Sequence, residues 1–427
     1  MSESNDDFTR ELGFLDATSI GLGTMIGGGI FILPSIAAEQ AGPASAISFV
    51  IGGLVSLLAA LSHAELATDM QYSEGGTYRY SHRALGSLVA SVVGWGMWVG
   101  LVFATAFYVV GFARYLTYFS DAVPISAVAI ALAAALIALN YYGAAEASSL
   151  EDAIVVTLLV LIVGFVGTGA PNVSTGTLRP LNPNGWSAVL ATTGTVYVAF
   201  IGFALIATAA AEIENPARNL PLSMVTAVAV PTVLYVGVMV VSTGVLPAEE
   251  LHGSRIPVAD VAEAFAGQAG ATAMVIGAVL ATVSSANASI LAAGRVSYAM
   301  GADRMLTDYF HTVHDRFGTP HRAIVVTGVA IVALVGIGVG VGVLAEVASF
   351  MYLVTYGLGH VAVIQLRRND EEYDPEFVIP SLLYPAAPVL GVVATLAITT
   401  QMDPVVIAGG AVIIAFGVAW YYVHIRE

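Results

Sequence analysis

The chain has 427 residues, of which 57% are hydrophobic and only 10% are charged, and it contains several apolar runs of twenty or more residues. Runs of that length match the roughly 20 residues needed to cross about 30 Å of hydrocarbon, so the composition predicts a polytopic membrane protein and excludes a soluble globular one. The formal net charge of −16 argues against nucleic acid as a partner, and the absence of cysteine excludes disulfides and thiolate metal sites.

Every basic residue of the chain is an arginine: there are fourteen, and lysine is absent. An acidic surface without lysine suits a cytoplasm at very high salt, where screening weakens the repulsion between like charges. We therefore interpret the host as halophilic, with codon drift in a GC-rich genome as the alternative.

The N-terminal residues MSESNDDFTRE are acidic and polar, whereas a secretory signal peptide begins with a basic stretch and a short apolar core. We expect residues 1–13 to form a cytoplasmic tail and the first span to remain in the mature protein.

The first span contains an unusual glycine run. GLGTMIGGGIFILP, at residues 21–34, places five glycines in nine positions, although glycine costs about 1 kcal/mol relative to alanine inside a helix. Irregular backbone persists in hydrocarbon only when it is buried in protein or faces a wet cavity. Gly27, Gly28 and Gly29 point around the whole helix, so they predict a break that binds a ligand. Close helix packing through small residues is the alternative.

Apolar runs predict twelve spans, at about residues 14–40, 43–69, 86–119, 124–143, 151–170, 187–212, 222–246, 267–300, 322–343, 345–366, 382–401 and 404–424. The pair within 322–366 is nearly continuous, so eleven spans is the alternative count.

The arginines predict the orientation of these spans. With a cytoplasmic N-terminus, the inner side holds Arg10, Arg79, Arg83, Arg218, Arg295, Arg304, Arg316, Arg322, Arg367, Arg368 and Arg426. The outer side then holds only Arg114, Arg179 and Arg255. Because cytoplasmic loops carry the excess of basic residues, both termini are predicted to be cytoplasmic.

The second span carries two polar side chains near its inner end. Glu65 is a functional candidate because acids inside membranes are costly, and it is a possible proton-linked residue. The alternative role is a helix-packing partner for Arg79 or Arg83. We expect His63 to lie at the membrane interface.

The sixth span carries Gly202 near mid-depth, between Phe200 and Phe203. Five spans separate the starts of spans 1 and 6, so a five-span repeat would begin on opposite sides of the membrane and form an inverted pair. Interrupted segments at corresponding places in two halves indicate the midplane site of a transporter.

Five ordered motifs resemble those of the amino acid–polyamine–organocation (APC) family of permeases, and they cover nearly the whole chain. They are GGGIFILP, HAELATDMQYSEGGTYRYSHRALG (63–86), FIGFALIATAAAEIENPARNLP (200–221), SANASILAAGRVSYAMGADRML (285–306) followed by GTPHRA, and RR followed by PEFVIPSLLYPAAPVLG (375–391). The resemblance implies an all-α LeuT-like fold of 5+5 inverted repeats with twelve transmembrane helices, of which helices 1 and 6 are discontinuous. The repeats would cover residues 14–170 and 187–366, with peripheral spans at 382–424.

The resemblance also implies how a zwitterion is held. Amides at the start of a half-helix favour a carboxylate, and carbonyls that end the other half accept an ammonium. The predicted substrate-binding residues are Met25, Gly27, Gly28, Gly29, Ile30, Phe200, Ile201 and Phe203. Within this set, Phe203 resembles the aromatic gate of the family. No acid lies at mid-depth and position 204 is alanine, which favours a neutral amino acid; Trp98, Phe107 and Tyr352 are candidates for contact with its side chain.

The residues of spans 5 and 8 indicate which ion drives transport. Many relatives couple to protons through a lysine in span 5, and no lysine exists here. In span 8, a carbonyl and two hydroxyls share one face, and with carbonyls of span 1 they resemble the sodium site of LeuT-like symporters. The predicted ligands are Gly23, Ile26, Ala281, Ser284 and Ser285. The alternative is that both serines bond to carbonyls of their own helix.

The sequence thus predicts a secondary active transporter of the cell membrane that moves a neutral amino acid by alternating access, in symport with sodium. Proton-coupled symport and amino acid exchange are the alternatives, and a transporter-like nutrient sensor is a more remote one. The chain contains no His-Glu-x-x-His motif, paired mid-depth aspartates or serine–histidine set, so no enzyme activity is expected. No cofactor is expected other than sodium as coupling ion, and the expected partners are the amino acid and membrane lipid.

Overall fold

The computed structural model describes residues 10–70, 76–120, 122, 124–143, 148–369 and 372–424. Residues 1–9 of the predicted tail and Arg426 lie outside these ranges. The fifteen α-helices of the described part are α1 (Phe14–Met25), α2 (Gly29–Ala41), α3 (Ser45–Asp69), α4 (Thr77–Leu85), α5 (Ser87–Tyr115), α6 (Ile125–Tyr141), α7 (Ser148–Gly169), α8 (Gly185–Val196), α9 (Pro216–Val245), α10 (Ala248–Gly253), α11 (Pro257–Ala302), α12 (His321–Gly336), α13 (Val341–Asn369), α14 (Ala386–Thr399) and α15 (Pro404–His424).

The all-helical class is confirmed for the described ranges, which hold no β-strand. The exception is one isolated parallel bridge between Leu12 and Ile213. It is framed by hydrogen bonds from the Leu12 amide to the Glu212 carbonyl at 3.0 Å and from the Glu214 amide to the Leu12 carbonyl at 2.9 Å. The chain just before α1 is therefore tied to the end of the sixth span.

Eight helical stretches of the described residues are long and apolar enough to cross a membrane, and α6, α12 and α14 are shorter apolar helices. Each of the twelve predicted runs coincides with one helix or a pair of helices. The nearly continuous run at 322–366 is divided by residues 337–340, between α12 and α13. The full twelve-span inverted-repeat arrangement stays a prediction, as do the division into repeats and the side on which the termini lie.

The sixth span consists of two kinds of helix. It begins as α8 and continues without an interruption as a 3₁₀ helix over Tyr197–Glu212, which we call the 3₁₀ segment. Runs of 3₁₀ helix longer than three or four residues are uncommon, and within a longer helix they often mark a hinge or a strained sequence. The expected discontinuity of this span is thus a change of helix type rather than a break in the helix.

α1 and the 3₁₀ segment lie in the interior of the bundle. α5 packs against both α11 and α13, α3 packs against α9, and α1 packs against α9 and the 3₁₀ segment. α11 contains a kink at Gly267, where the backbone has a φ of 63°. Two further helices, α7 and α15, present mostly exposed apolar side chains, which is the pattern of lipid-facing helices.

Candidate substrate site

The first span is broken at the predicted place. α1 ends at Met25, Ile26 has φ −76° and ψ 62°, and α2 begins at Gly29. The Ile26 amide still donates to the Leu22 carbonyl at 2.7 Å, whereas the Gly27 amide turns back to the Met25 carbonyl at 2.8 Å. The ladder of i to i−4 hydrogen bonds therefore stops for about one turn, in the interior of the protein.

The glycines of this break are also packing residues. A Cβ added at Gly27 would lie 2.0 Å from Ser285 Oγ, and one at Gly28 would lie 2.5 Å from Thr282 Cγ2. At Gly29 the nearest atom, Ala199 Cβ, would be 3.3 Å away. Close packing and unwinding, which the sequence offered as alternatives, thus occur together, because the broken backbone rests directly on α11.

The backbone groups of the break are partly occupied by neighbouring hydroxyls. The Gly28 amide donates to Ser285 Oγ at 3.3 Å, and the Met25 carbonyl accepts a hydrogen bond from the hydroxyl of Tyr235. The amides of Gly29 and Ile30 belong to the first turn of α2, where amides have no partner within the helix. Those two amides are hydrogen-bond donors suited to a carboxylate. A ligand that binds the Met25 carbonyl would share that carbonyl with the Tyr235 hydroxyl or displace the hydroxyl.

The 3₁₀ segment is held by α13 at its start. The Val198 amide donates to Ser349 Oγ at 2.7 Å, and the Ser349 hydroxyl donates to the Thr195 carbonyl at 3.1 Å. Further along, the Ile201 carbonyl accepts a hydrogen bond from the Tyr356 hydroxyl at 2.6 Å. Side chains of α13 therefore satisfy backbone groups where the helix changes type.

Large buried side chains recur every third residue of the 3₁₀ segment, at Tyr197, Phe200, Phe203 and Ile206. Since a 3₁₀ helix has three residues per turn, these side chains stack on one face, which an α-helix would spread around its circumference.

The two interrupted spans touch each other at Gly202. The Thr24 hydroxyl donates to the Gly202 carbonyl at 3.1 Å, and a Cβ at Gly202 would lie 2.5 Å from Thr24 Oγ1. Tyr235 also links them, because its hydroxyl approaches the Ala199 carbonyl at 3.3 Å as well as the Met25 carbonyl.

A cavity of about 40 Å³ lies beside this contact. Its lining residues are Thr24, Leu101, Ala104, Tyr108, Ile201, Gly202, Leu205, Ser285, Ala288, Ser289 and Tyr352. None of them is charged, and the polar groups are hydroxyls and backbone atoms. The volume admits a few water molecules and is far below the roughly 300–1,000 Å³ of small-molecule pockets, so this conformation is closed around the site.

The predicted substrate residues divide into two groups. Ile201 lines the cavity, and Met25 and the glycine run form the adjacent break. Phe203 does not line it: this side chain is fully buried and packs against His63 and Tyr356, with ring centroids 5.8 and 5.0 Å apart. Its role as a gate stays a prediction that this conformation does not display. Phe200 is likewise packed away from the cavity, against Phe49 and Tyr235.

The predicted sodium ligands lie on the first span and on α11, and Ser285 is the one of the α11 residues that the structure shows in contact with the break. Ser284 and Ser285 are buried, and Ser285 reaches the break through Gly28 rather than bonding to its own helix. The neighbouring Thr282, by contrast, donates to the Ala278 carbonyl at 2.6 Å. On the opposite side of α1, a Cβ at Gly23 would come within 3.1 Å of a Glu151 carboxylate oxygen.

Glu65 is fully buried and has a partner that was not predicted. Arg367 donates to its two oxygens from Nε at 2.6 Å and from Nη2 at 2.5 Å. The Tyr373 hydroxyl donates to Oε1 at 3.1 Å, and the Ile379 amide donates to Oε2 at 2.8 Å. The carboxylate therefore joins α3, the end of α13 and the segment that follows α13.

The expected partners of Glu65 are engaged elsewhere. Arg79 pairs with Asp303 at 3.1 Å, and Arg83 pairs with Asp69. The packing role expected for Glu65 is thus right in kind and wrong in partner, because Arg367 lies 302 positions away in the sequence. Burial, followed by the nearby Glu65 carboxylate, raises the pKa of Tyr373 well above its usual value, so its phenol keeps the proton that it donates.

Sequence reasoning missed five polar contributors to this region: Thr24, Tyr108, Tyr235, Ser289 and Tyr356. Each is a hydroxyl-bearing residue inside an apolar helix, and that is the signal that would have selected them. Tyr352, a sequence candidate, does line the cavity. Of the other two candidates, Phe107 is fully buried and Trp98 donates to Thr327 Oγ1 at 2.9 Å.

The chain was compared with known proteins. The profile of a family described as amino acid permease matches residues 12–424. The chain belongs to the amino acid permease family. Relatives in this family are named as transporters or permeases, which indicates a transporter rather than an enzyme. The apolar helices indicate a multi-pass membrane protein.

Individual permease relatives differ in what their names say they carry. A methylthioribose transporter of Bacillus subtilis (strain 168) is 30% identical, over 98% of this chain and 94% of the relative. The branched-chain amino acid permease BcaP of the same organism is 30% identical, over 98% and 93%. The chloroplastic cationic amino acid transporter 9 of Arabidopsis thaliana is 28% identical, over 73% and 59%.

Proposed function

We propose that this permease moves a neutral amino acid across the cell membrane by alternating access, in symport with sodium, on a LeuT-like scaffold with both termini in the cytoplasm. The observation that carries the proposal is the broken backbone between Met25 and Gly29 beside a cavity without any charged lining residue. A zwitterion needs donors and acceptors but no net countercharge, and a helix start supplies donors for its carboxylate.

The absence of charge in the cavity wall supports a neutral substrate over a cationic one. A buried ammonium or guanidinium without a partner carboxylate is very costly, and the lining offers Thr24, Tyr108, Ser285, Ser289 and Tyr352 instead. Leu101, Ala104, Ile201 and Leu205 supply apolar surface for an aliphatic side chain. Two relatives that match nearly the whole chain are named for a branched-chain amino acid and for methylthioribose, neither of which carries a net charge.

Two features near the break support sodium as the coupling ion. Hard cations prefer oxygen ligands; Ser284 and Ser285 are both buried on α11, and Ser285 contacts the broken segment. On the other side of α1, the Glu151 carboxylate near Gly23 adds negative charge to the same end of that helix. The chain also lacks the lysine through which many relatives are thought to couple to protons.

The test is uptake by purified permease in proteoliposomes. Labelled leucine, alanine, methionine, arginine and methylthioribose are offered under a sodium gradient, then under a proton gradient, then against internal unlabelled substrate alone. We expect a sodium gradient to concentrate a neutral amino acid. Uptake of arginine alone would overturn the neutral substrate, and uptake of methylthioribose alone would overturn the amino acid.

The sodium site has its own matched variants. Replacing Ser284 and Ser285 together by alanine should remove the dependence on sodium, because two hydroxyl ligands are lost. Ser297→Ala on the same helix should keep it, since the Ser297 hydroxyl bonds back to its own helix, to the Ala293 carbonyl at 2.7 Å and the Gly294 carbonyl at 3.2 Å. Sodium dependence that survives in the double variant, or a wild type driven only by protons or exchange, would refute the sodium proposal.

A further inference from the structure

Two histidines, His63 on α3 and His360 on α13, lie on helices that pack against each other, outside the cavity and outside the candidate sodium site. Both side chains are fully buried in the protein, whereas the sequence suggested that His63 lies at the membrane interface. The ring of His63 lies 4.8 Å from the ring of Tyr356 and 5.8 Å from that of Phe203, centroid to centroid.

The hydrogen bond of His63 shows which ring nitrogen carries the hydrogen in the neutral form. Its Nδ1 lies 2.8 Å from the Ala59 carbonyl oxygen, which can only accept, so Nδ1 carries the hydrogen. The neutral ring then has a bare lone pair on Nε2. Within the described part of the chain that atom is buried and has no hydrogen-bond partner. His63 therefore holds a proton acceptor ready in the protein interior, with nothing donating to it.

His360 is built in a similar way. Its Nδ1 lies 2.8 Å from Ser62 Oγ, while its Nε2 is buried without a partner among the described residues. An unpaired buried polar atom costs about 1–3 kcal/mol, and an apolar side chain would fill either place without that cost. Both histidines thus keep a polar ring atom without a partner among the described residues, which is unusual for a buried group.

The backbone makes room for both rings. A Cβ at Gly359 would lie 2.8 Å from His63 Cε1, and a Cβ at Gly391 on α14 would lie 2.1 Å from His360 Nε2. Any larger residue at these two positions would collide with an imidazole. The pair thus occupies a space that glycines on two helices leave for it.

The pair is connected to the cavity wall through one residue. Tyr356 contacts His63, and its hydroxyl donates to the carbonyl of Ile201, which lines the cavity. Tyr356 also packs against the cavity residue Tyr352, with centroids 5.4 Å apart. A change at His63 therefore reaches the 3₁₀ segment by two routes, directly through Phe203 and through Tyr356.

Among the described residues, the acids on the helices that carry the pair or pack against it are engaged or exposed. Glu65, two positions after His63, accepts both donors of Arg367, and Asp69 pairs with Arg83. Glu346 accepts a hydrogen bond from the Asp403 amide, Glu39 pairs with His252, and Glu212 is exposed. α14 has no titratable residue, and the other titratable groups on these helices are arginines, tyrosines and histidines.

We propose that His63 and His360 form a proton-binding site, with Nε2 of His63 as the acceptor, and that proton binding there favours separation of α3 from α13. An unpaired charge is costly in the closed interior, so the proton binds more tightly when the helices part and water enters. The closed cavity is too small for an amino acid, so turnover requires the bundle to open, and α13 contributes Tyr352 to the cavity wall. Acidification therefore speeds transport, whichever ion drives it.

The test is a pH profile of initial uptake, measured with the same pH on both sides of the vesicle so that no proton gradient exists. Wild-type uptake should rise about threefold or more as the pH falls from about 8 to about 6, the range in which histidine takes up a proton. His63→Gln should give a flat profile, and His360→Gln a weaker slope. The matched control is His82→Gln on α4, whose exposed ring lies outside the pair and which should keep the wild-type profile.

A second measurement does not depend on the substrate. The closed structure holds the pair neutral, so thermal stability in detergent should fall on acidification in the wild type and fall less in His63→Gln. Flat wild-type profiles, or a His63→Gln variant that follows the wild type in both uptake and melting, would overturn the proposal. If no amino acid is transported, the proposed function fails, while the melting experiment still decides on the histidine pair.

Discussion

Between Met25 and Gly29 the first span leaves helical geometry, whereas the sixth span stays helical and narrows to 3₁₀ at Tyr197. Both regions nevertheless use the same chemistry for the backbone groups that lose their α-helical partners. In each region, a serine hydroxyl on a facing helix accepts a hydrogen bond from a backbone amide. Ser285 accepts from the Gly28 amide, and Ser349 accepts from the Val198 amide.

The difference between the regions lies in what remains available. Coil geometry at the first break leaves the opening amides of α2 without helical partners, as at any helix start. A 3₁₀ helix continues to pair its own amides with carbonyls three residues earlier, so the sixth span presents fewer free groups. The start of α2 is therefore better suited than the sixth span to bind a carboxylate. The sixth span instead forms part of the cavity wall, through Ile201, Gly202 and Leu205.

The contact between the two regions should show the largest mutational effect. Gly202→Ala would put a methyl group 2.5 Å from Thr24 Oγ1 and 2.8 Å from its carbonyl carbon, and such overpacking costs about 1–3 kcal/mol. We expect uptake to be lost and the melting temperature to fall.

The matched control is Gly164→Ala on α7, where nothing lies within 4 Å of an added Cβ. That variant should melt at or above the wild-type temperature, because alanine is the better helix former by about 1 kcal/mol. Equal behaviour of the two alanine variants would show that the spans do not touch as described.

An intermediate effect is expected at the start of the 3₁₀ segment. Ser349→Ala leaves the buried Val198 amide without its acceptor, which costs about 1–3 kcal/mol, and it should slow uptake because the segment borders the cavity. Thr399→Ala, which removes only a bond from Thr399 to the Thr395 carbonyl on α14, is the control. Indistinguishable melting curves for the two variants would argue that Ser349 does not hold the segment.

The smallest effect should follow Tyr235→Phe, which removes one hydroxyl from the carbonyls of Met25 and Ala199 at a cost of about 0.5–1.5 kcal/mol. This change also frees the Met25 carbonyl for the ammonium of a substrate. We expect slightly lower stability with unchanged or tighter substrate binding by calorimetry. The control is Tyr142→Phe, at an exposed ring, and weaker binding in Tyr235→Phe alone would mean that the Met25 carbonyl is not an ammonium acceptor.

Local composition was enough to locate the first break and the helices. Gly27, Gly28 and Gly29 interrupt an apolar run, and a run of glycines has the same weakness for helix in any context. The proximity of Ser285 to the first span was also predicted, although the structure brings its hydroxyl to an amide, and a cation there stays a prediction.

Partners that are distant in sequence were beyond such reasoning. Nothing near Glu65 indicates Arg367, because the pairing depends on how α3 and α13 pack. The same packing places His63 in the interior rather than at the interface. The sequence of the 3₁₀ segment does contain a sign of its helix type, because bulky residues recur at every third position from Tyr197 to Ile206. That period is easily overlooked when an apolar span is examined only for α-helical periodicity.

The helix type of the sixth span also decides what its far end can reach. Sixteen residues rise about 32 Å at 2.0 Å each in a 3₁₀ helix, against about 24 Å at 1.5 Å each in an α-helix. An α-helical version of the same residues would be about 8 Å shorter. The bridge between Leu12 and Ile213 therefore fits the longer rise of the 3₁₀ form, which links the start of α1 to the helix type of the sixth span.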